Sequence, residues 1–171
     1  MCGKASVSEL SWADIYAFAS SFSAPASLPA DPESRVNISP SRLRRKSEPE
    51  SMVWESLPVI YADGSLDRPA EAVWPFLPPW SEGRLPMNKQ GRLISTANAR
   101  LRTGGAPFAP TFMGAWRGGL RVVVAVSWFY EFDNRVKPQV PYAVFPLDAP
   151  FWMMAGLARW TRLPDGSPQL T

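Results

Sequence analysis

Apolar and polar residues near the start of the chain follow a pattern that predicts one short helix. Ser11 and Asp14 have the spacing of a capping box. The apolar residues beside them recur at helical spacing, as on one face of a helix. They are Trp12, Ile15, Tyr16 and Ala19. We therefore predict a helix that begins just after Ser11.

Longer apolar runs predict strands. Residues 52–62 are strand-like, and the Asp-Gly pair at 63–64 predicts a turn after them. The Val-rich, aromatic run 121–132 predicts the strongest strand of the chain. Residues 140–145 are expected to return as its partner.

Proline and serine mark the loops. Residues 23–34 predict a loop, and the prolines within 74–80 exclude a helix or an inner strand there. Residues 151–160 form a further apolar segment, followed by a hairpin signal at 164–167. Because the return strand would leave a sheet edge unpaired at Thr171, we expect related chains to continue further.

Segregated strands with short helices favour an α+β domain built around a mixed or antiparallel sheet. We expect residues 1–171 to form one domain, since 46% apolar residues are enough for a sizeable core. No stretch has the apolar length that spans a bilayer, and the first twenty residues lack the pattern of a signal peptide. We therefore expect a cytoplasmic protein.

The composition excludes several common catalytic arrangements. The chain has no histidine and one cysteine, Cys2. No Ser-His-Asp or Cys-His pair can form within it. Neither a histidine-bearing nor an all-cysteine zinc site is possible, and neither is an internal disulfide. We expect no metal and no cofactor.

Charge is distributed unevenly along the chain. The stretch 84–137 contains nine basic and two acidic residues, whereas 5–83 contains six basic and eleven acidic residues. Fourteen of the 18 basic residues are arginine, which suits bidentate phosphate contacts and stacking on bases. An ordinary solvated surface would also fit this pattern, so a nucleic-acid surface is a hypothesis from charge alone.

The position of Cys2 changes its chemistry. An initiator Met before a small residue is normally removed, which would leave Cys2 with a free α-amine beside its thiol. The reference pKa of an α-amine is about 2.5 units below that of lysine, so part of it is nucleophilic near neutral pH. Such an aminothiol condenses with an aldehyde and closes a thiazolidine ring. It could instead attack an acyl group, and a lone cysteine is often only a small buried side chain.

Six short motifs occur in the order that is typical of one family. They are Met1-Cys2-Gly3, Asn37-Ile-Ser-Pro40, Trp74 through Trp80, Asn98-Ala-Arg100, Phe129-Tyr-Glu131 and Ala155-Gly-Leu157. The sequence thereby resembles the SRAP family, the SOS response-associated peptidase proteins, which shield abasic sites in DNA. The resemblance covers residues 1–160 of the chain. It implies an SRAP-like fold, with a barrel-like, bifurcated sheet flanked by short helices.

The resemblance also implies a reaction. Cys2 would form a covalent crosslink with the ring-opened aldehyde of an abasic site in single-stranded DNA. Glu131 matches the family's catalytic glutamate, which would move a proton while the closed sugar opens. Pairing with a nearby arginine is its structural alternative. Asn98 matches the family's active-site asparagine, and a turn amide is its structural alternative.

Other motif residues are expected to contact DNA. Arg100 resembles the family's phosphate-binding arginine. Trp74 and Trp80 would stack on bases beside the lesion, although core packing explains them about as well. Asn37 and Pro40 are expected to shape the loop beside the N-terminus, where Asn37 would touch the site.

Four features depart from the family pattern. Lys4 stands where the family usually has arginine, and Arg102 stands where an acidic residue is usual. Both are still expected to contact DNA. Trp128 replaces a glycine before the Phe-Tyr-Glu motif. The family's active-site histidine lies in a segment that we expect beyond Thr171.

Three functions stay open. The first is covalent capture of abasic sites, with single-stranded DNA as the partner. The second is a cysteine-type (auto)peptidase with Cys2 as nucleophile, as the family name records. The third is a non-catalytic relative that binds single-stranded DNA. In each case we expect a cytoplasmic, nucleoid-associated monomer without a membrane partner.

Overall fold

The computed structural model of the protein describes residues 4–19, 21–40, 43–45, 52–103, 105, 107, 109–118, 120–133 and 135–171. The helices are α1 (Trp12–Phe18) and α2 (Met113–Gly118), and 3-10 turns cover Pro79–Ser81 and Pro110–Phe112. The strands, in chain order, are β1 (Lys4–Val7), β2 (Arg35–Ile38), β3 (Leu43–Arg45), β4 (Met52–Trp54), β5 (Ser56–Asp63), β6 (Leu66–Val73), β7 (Arg121–Val126), β8 (Trp128–Asp133), β9 (Val140–Val144), β10 (Trp152–Leu157), β11 (Trp160–Arg162) and β12 (Pro168–Leu170).

Two four-stranded sheets organise the fold. The first sheet has the order β2-β1-β8-β9, and the second sheet has the order β10-β7-β5-β6. The pairs β3–β4 and β11–β12 form separate two-stranded sheets. All of these pairs are antiparallel. The predicted α+β class is confirmed. The expected barrel-like sheet is wrong for the described strands, because they form separate sheets that do not close on themselves.

Helix α1 confirms the prediction made from its capping box. Ser11 is extended, and its hydroxyl accepts a hydrogen bond of 3.0 Å from the Asp14 N–H. This bond satisfies one of the amides that an α-helix leaves unpaired at its start. Trp12, Ile15 and Tyr16 are buried. The helical period of these apolar residues therefore corresponds to the face that packs on the core.

Both predicted loops are present. Residues 23–34 contain no helix or strand. They are held against α1, because Trp12 donates its backbone N–H to Asp31 at 2.9 Å and its indole N–H to a loop carbonyl. Residues 74–78 are also irregular, and the proline-rich segment then ends in the short 3-10 turn Pro79–Ser81.

The predicted strand 121–132 is two strands, and the structure gives the reason. At Ser127 the chain leaves the second sheet and enters the first sheet. The Ser127 N–H donates to the Ser6 carbonyl at 2.9 Å, and its hydroxyl oxygen accepts from the Ser8 N–H at 2.8 Å. These contacts with β1 and the residue after it bend a run whose local sequence favours a single strand. The predicted strand 52–62 is divided in the same way at Glu55.

Both expected hairpins are confirmed. Strand β9 pairs with β8 through Phe129 opposite Val144 and Asp133 opposite Val140. Strands β11 and β12 pair on either side of the 164–167 turn, with Trp160 opposite Leu170. The apolar segment before that hairpin becomes β10, which pairs with β7.

The main core lies where both sheets meet helix α1. Its buried residues are Ala5, Val7, Leu10, Trp12, Ile15, Tyr16, Ile38, Leu57, Ile60, Ala125, Val126 and Phe151. A smaller cluster combines residues of the second sheet, such as Val59 and Val122, with Ala158 and Leu170. Strand β1 thus belongs to the main core, and the first residues of the described chain are held in place by packing.

Candidate functional site

Strand β1 lies in the middle of the first sheet, between β2 and β8. Its Ala5 is opposite Ile38 of β2, and its Lys4 is opposite Tyr130 of β8. The predicted site residues Asn37 and Glu131 are the immediate neighbours of these two partners. The first sheet therefore places Asn37 and Glu131 on opposite sides of the start of β1.

Glu131 lies on the inward side of its strand. Directly opposite residues in a sheet share a face, and residues two apart on one strand share a face. Ala5 is opposite Phe129, and Glu131 is two residues beyond Phe129. Ala5 is only 2% exposed, whereas Glu131 is half-buried. The Glu131 side chain thus lies on the same face of the first sheet as Ala5.

Asn37 marks an irregularity in β2. Its φ is +58°, in the left-handed region that asparagine adopts more readily than most residues. The pairing of β1 with β2 shifts register between Ala5 and Val7. The Asn37 N–H donates to the Ser6 hydroxyl oxygen at 3.2 Å. Asn37 therefore lies beside β1, and Pro40, two residues after the end of β2, is half-buried.

A cavity of about 340 Å³ lies over the second sheet. Part of its lining comes from one face of the second sheet. Alternate residues of β5 and β7 form this face: Leu57, Val59, Val122, Val124 and Val126. Ala5 of the first sheet also lines it, together with Trp74, residues 96–99 and Leu101. The cavity has the size of a small-molecule pocket and mainly apolar walls.

Trp74 and Asn98 are brought together at this cavity. The Trp74 indole N–H donates to the Ala97 carbonyl at 3.0 Å, and the Phe76 N–H donates to the Thr96 carbonyl at 3.3 Å. These bonds hold the segment that carries Asn98 against the Trp74 loop. Thr96 is 2% exposed, and its hydroxyl oxygen has no hydrogen-bond partner within the described ranges.

Other predicted residues lie apart from the cavity lining. Arg100 and Arg102 are exposed on either side of Leu101, which does line the cavity. Trp80 is 52% exposed in the 3-10 turn. Neither Trp80 nor Glu131 is among the lining residues. Cys2, the predicted nucleophile, is outside the residues that the structure describes.

Comparison with protein families decides the affiliation of the chain. The family model described as SOS response associated peptidase (SRAP) matches residues 1–171. The chain belongs to the SRAP family. This membership supports a DNA damage-associated role and an interaction with DNA. Comparison with curated proteins finds no match.

The basic residues of the stretch 84–137 lie at the surface of this SRAP family member. All nine basic residues of the stretch 84–137 are exposed. They are Arg84, Lys89, Arg92, Arg100, Arg102, Arg117, Arg121, Arg135 and Lys137. Lys4 is half-buried at the start of β1. Exposed positions suit phosphate contacts, and two of these side chains also bind within the protein, Arg121 to the Trp116 carbonyl and Arg135 to Asp133.

One polar cluster in this SRAP domain was not predicted from the sequence. Arg35 of β2 contacts Glu55, Ser56 and Glu71, which belong to or border the second sheet. We call these four residues the Arg35 cluster. The sequence does contain a signal for such a cluster. One carboxylate, Glu55 or Glu71, lies within each of two mainly apolar runs, 52–62 and 69–74.

Within the described ranges, no three acidic, cysteine or histidine side chains come together as a metal site. Neither of the helices in that part of the chain has the length and apolar character of a bilayer-spanning segment.

Proposed function

We propose that this SRAP protein binds single-stranded DNA and captures abasic sites covalently through Cys2. The observation that carries the proposal is the central place of β1 in the first sheet. This strand begins two residues after Cys2, and the neighbours of Asn37 and Glu131 pair with its first residues. Consecutive Cα atoms are about 3.8 Å apart. Because Cys2 is only two residues before Lys4, we expect the chain length to let it reach Asn37 and Glu131.

The proposed reaction uses both nucleophiles of Cys2. The α-amine adds to the aldehyde carbon of the opened sugar, and loss of water gives an imine. The thiol sulfur then adds to the imine carbon while a proton moves to the nitrogen. The product is a thiazolidine that joins protein and DNA.

Glu131 is the proposed proton donor and acceptor. An abasic sugar is mainly a closed hemiacetal, so a proton must move between its oxygens before the aldehyde is exposed. These 171 residues include no histidine. The inward face of β8 offers a half-buried carboxyl group beside β1 for this step.

The remaining residues would hold the DNA. Asn98, at the cavity next to Ala5, is proposed to hold the sugar by hydrogen bonds. Lys4, Arg100 and Arg102 would contact phosphates. Trp80 is exposed and suits stacking on a base.

Trp74 differs from Trp80 because its indole N–H is bound to the Ala97 carbonyl. We assign Trp74 to the wall of the site, beside the loop that Asn37 and Pro40 shape. The protein is proposed to act as a monomer in the cytoplasm, at the nucleoid.

A crosslinking assay tests the proposal. The mature protein is incubated with single-stranded DNA that contains one abasic site, and the products are separated on a denaturing gel. We expect a shifted band for the native protein and none for Cys2→Ala. Cys2→Ser keeps the amine, so it should give a band only after borohydride reduction of the imine. A form with Met1 retained should give no band without borohydride, because the Cys2 amine is then part of a peptide bond and cannot close the thiazolidine.

Two outcomes would overturn the mechanism. Equal crosslinking by the form that retains Met1 would exclude the α-amine. Tight DNA binding without any covalent band, in protein whose first residue is confirmed as Cys2, would favour the non-catalytic DNA-binding alternative. Cleavage of added proteins in a Cys2-dependent manner would instead support the peptidase alternative.

A further inference from the structure

We propose that Arg35 is a positioning residue for the capture site, an inference that rests on the proposed function. Arg35 holds the strand that carries Asn37 in a fixed relation to the loop that carries Trp74. It does so through the Arg35 cluster, in which one guanidinium group contacts Glu71 of β6 and Glu55, the residue before β5.

The cluster combines hydrogen bonds to Glu71 and Ser56 with a longer ion pair to Glu55. An Arg35 terminal nitrogen donates to Glu71 Oε2 at 3.1 Å, and the other terminal nitrogen donates to Ser56 Oγ at 3.3 Å. The second nitrogen also forms an ion pair with Glu55 Oε2 at 3.6 Å. The Ser56 hydroxyl donates to Glu71 Oε2 at 2.7 Å.

Because the side chains of Arg35 and Glu55 are largely buried, each charge needs a partner of opposite charge. The side chains of Arg35 and Glu55 are 11% and 8% exposed. Removing one partner from a buried ionic group leaves an uncompensated charge, which is strongly unfavourable. The planar guanidinium group presents its donors in a fixed fork, whereas an ammonium group is a compact point charge. Only arginine therefore suits two carboxylates and a hydroxyl at once in this geometry.

On one side the cluster leads to Asn37. Arg35 is paired with Val7 of β1 and lies two residues before Asn37 on β2. The Asn37 N–H donates to the Ser6 hydroxyl oxygen of β1, and β2 also pairs with β1 on either side of Asn37. The contacts of Arg35 attach this strand, in addition, to residues of the second sheet or beside it.

On the other side the cluster leads to Trp74 and Asn98. The carbonyl oxygen of Glu55 accepts a hydrogen bond of 2.9 Å from the Trp74 N–H. The Trp74 indole in turn donates to Ala97, which precedes Asn98. A continuous series of contacts thus joins Asn37 to Asn98 through Arg35 and Glu55.

The first test is Arg35→Lys, with Gly166→Ala as the control. Gly166 has a φ of +85°, lies in the β11–β12 turn and has open space around it, so its replacement strains the fold away from the site. For Arg35→Lys we expect the crosslinking rate at saturating DNA to fall by about tenfold or more, since small misplacements are costly. The dissociation constant for DNA, measured with Cys2→Ala added, should stay within about twofold. Gly166→Ala should crosslink at the native rate.

A second variant covers the case in which Arg35→Lys does not fold. The triple change Arg35→Gln, Glu55→Gln and Glu71→Gln removes the cation together with both carboxylates, so no buried charge is left unpaired. It should bind DNA but crosslink slowly. A native crosslinking rate in either folded variant would overturn the positioning role.

A separate readout does not depend on crosslinking. The indole N–H of Trp74 should change its NMR chemical shift and exchange faster with solvent in Arg35→Lys, but not in Gly166→Ala. An unchanged indole signal would overturn the inference even if the native protein crosslinks DNA. If the native protein does not crosslink, the proposed function fails, and the indole signal still decides whether Arg35 positions Trp74.

Discussion

Glu131 shares one strand with a second carboxylate, Asp133, and the pair offers a test of its role. The two residues are two apart on β8 and lie on the same face. Side-chain hydrogen bonds from Arg135, at 2.9 and 2.8 Å, lower the pKa of Asp133 below its usual range. Asp133 is thus engaged in its own ion pair at the far end of the strand.

We expect Glu131→Gln to slow crosslinking by about 100-fold, the contribution typical of a proton-transfer group. Asp133→Asn should leave the rate unchanged, because this carboxylate is not part of the proposed site. The rates are measured by denaturing gel at saturating abasic-site DNA. Equal effects of the two substitutions would show that charge on β8, rather than proton transfer by Glu131, matters for capture.

The role of a single residue could be predicted where a sequence motif or a helix-capping pattern identifies that residue. The capping role of Ser11 follows from local spacing alone. The burial of Arg35 does not, because in the sequence it is one more arginine in a polar segment. Its two carboxylate partners, Glu55 and Glu71, are 20 and 36 residues further along the chain, and only tertiary packing makes them its neighbours.

The β11–β12 hairpin is attached to the proline-rich loop at a glycine. Gly83 is buried with a φ of +74°, and a Cβ placed there would be 2.3 Å from the Arg162 carbonyl oxygen of β11. A side chain at this position would therefore combine backbone strain with a clash against backbone atoms. Gly166, in the turn of the same hairpin, would meet only the strain.

Gly83→Ala should lower the free energy of unfolding by about 3 kcal/mol, from a left-handed alanine plus overpacking. Gly166→Ala should lower it by about 1 kcal/mol, from the left-handed backbone alone. Urea denaturation followed by tryptophan fluorescence measures both values. Similar losses in the two variants would mean that the loop moves away from β11 at little cost.

Elements were predictable where the local signal and the tertiary structure agree. Helix α1 and the β8–β9 and β11–β12 hairpins are of this kind. The boundaries at Ser127 and Glu55 are different, because the residues around them favour one uninterrupted strand. Each boundary is the point at which the chain changes sheets, and hydrogen bonds from other strands determine that point.

The whole molecule presents its basic residues to solvent, which leads to a prediction for DNA binding. The affinity for single-stranded DNA should fall linearly with salt on a double-logarithmic plot, because bound phosphates release counterions. Arg100→Gln and Arg102→Gln should each reduce that slope by about 0.7. Arg68 pairs with Asp63 on the β5–β6 hairpin and is outside the basic stretch.

Fluorescence anisotropy at several salt concentrations, with Cys2→Ala in every protein, measures these slopes without crosslinking. Arg68→Gln is the matched control and should leave the slope unchanged. A flat salt response of the parent protein would exclude the stretch 84–137 as the DNA surface. If Arg68→Gln reduced the slope as much as Arg100→Gln, the salt dependence would reflect the net charge of the protein and not the basic stretch.

For the whole molecule, the fold class and the family could be predicted from the sequence, since they depend on patterns spread over most of the chain. The cavity at Trp74 and Asn98 could not. Its walls come from segments in both halves of the chain, including Ala5, Val59, residues 96–99 and Val122. Such a space is defined by how sheets and loops pack against each other, which no local pattern records.

The Arg35 cluster also has a consequence for how the protein can change during evolution. A mutation that removes Arg35 alone leaves Glu55 and Glu71 without their common cation, and a mutation that neutralises Glu55 or Glu71 weakens the attachment of β2. Single replacements are thus selected against, whereas simultaneous neutral replacements are tolerated by the fold. Positions 35, 55 and 71 should therefore covary across SRAP sequences, although they are far apart in the gene.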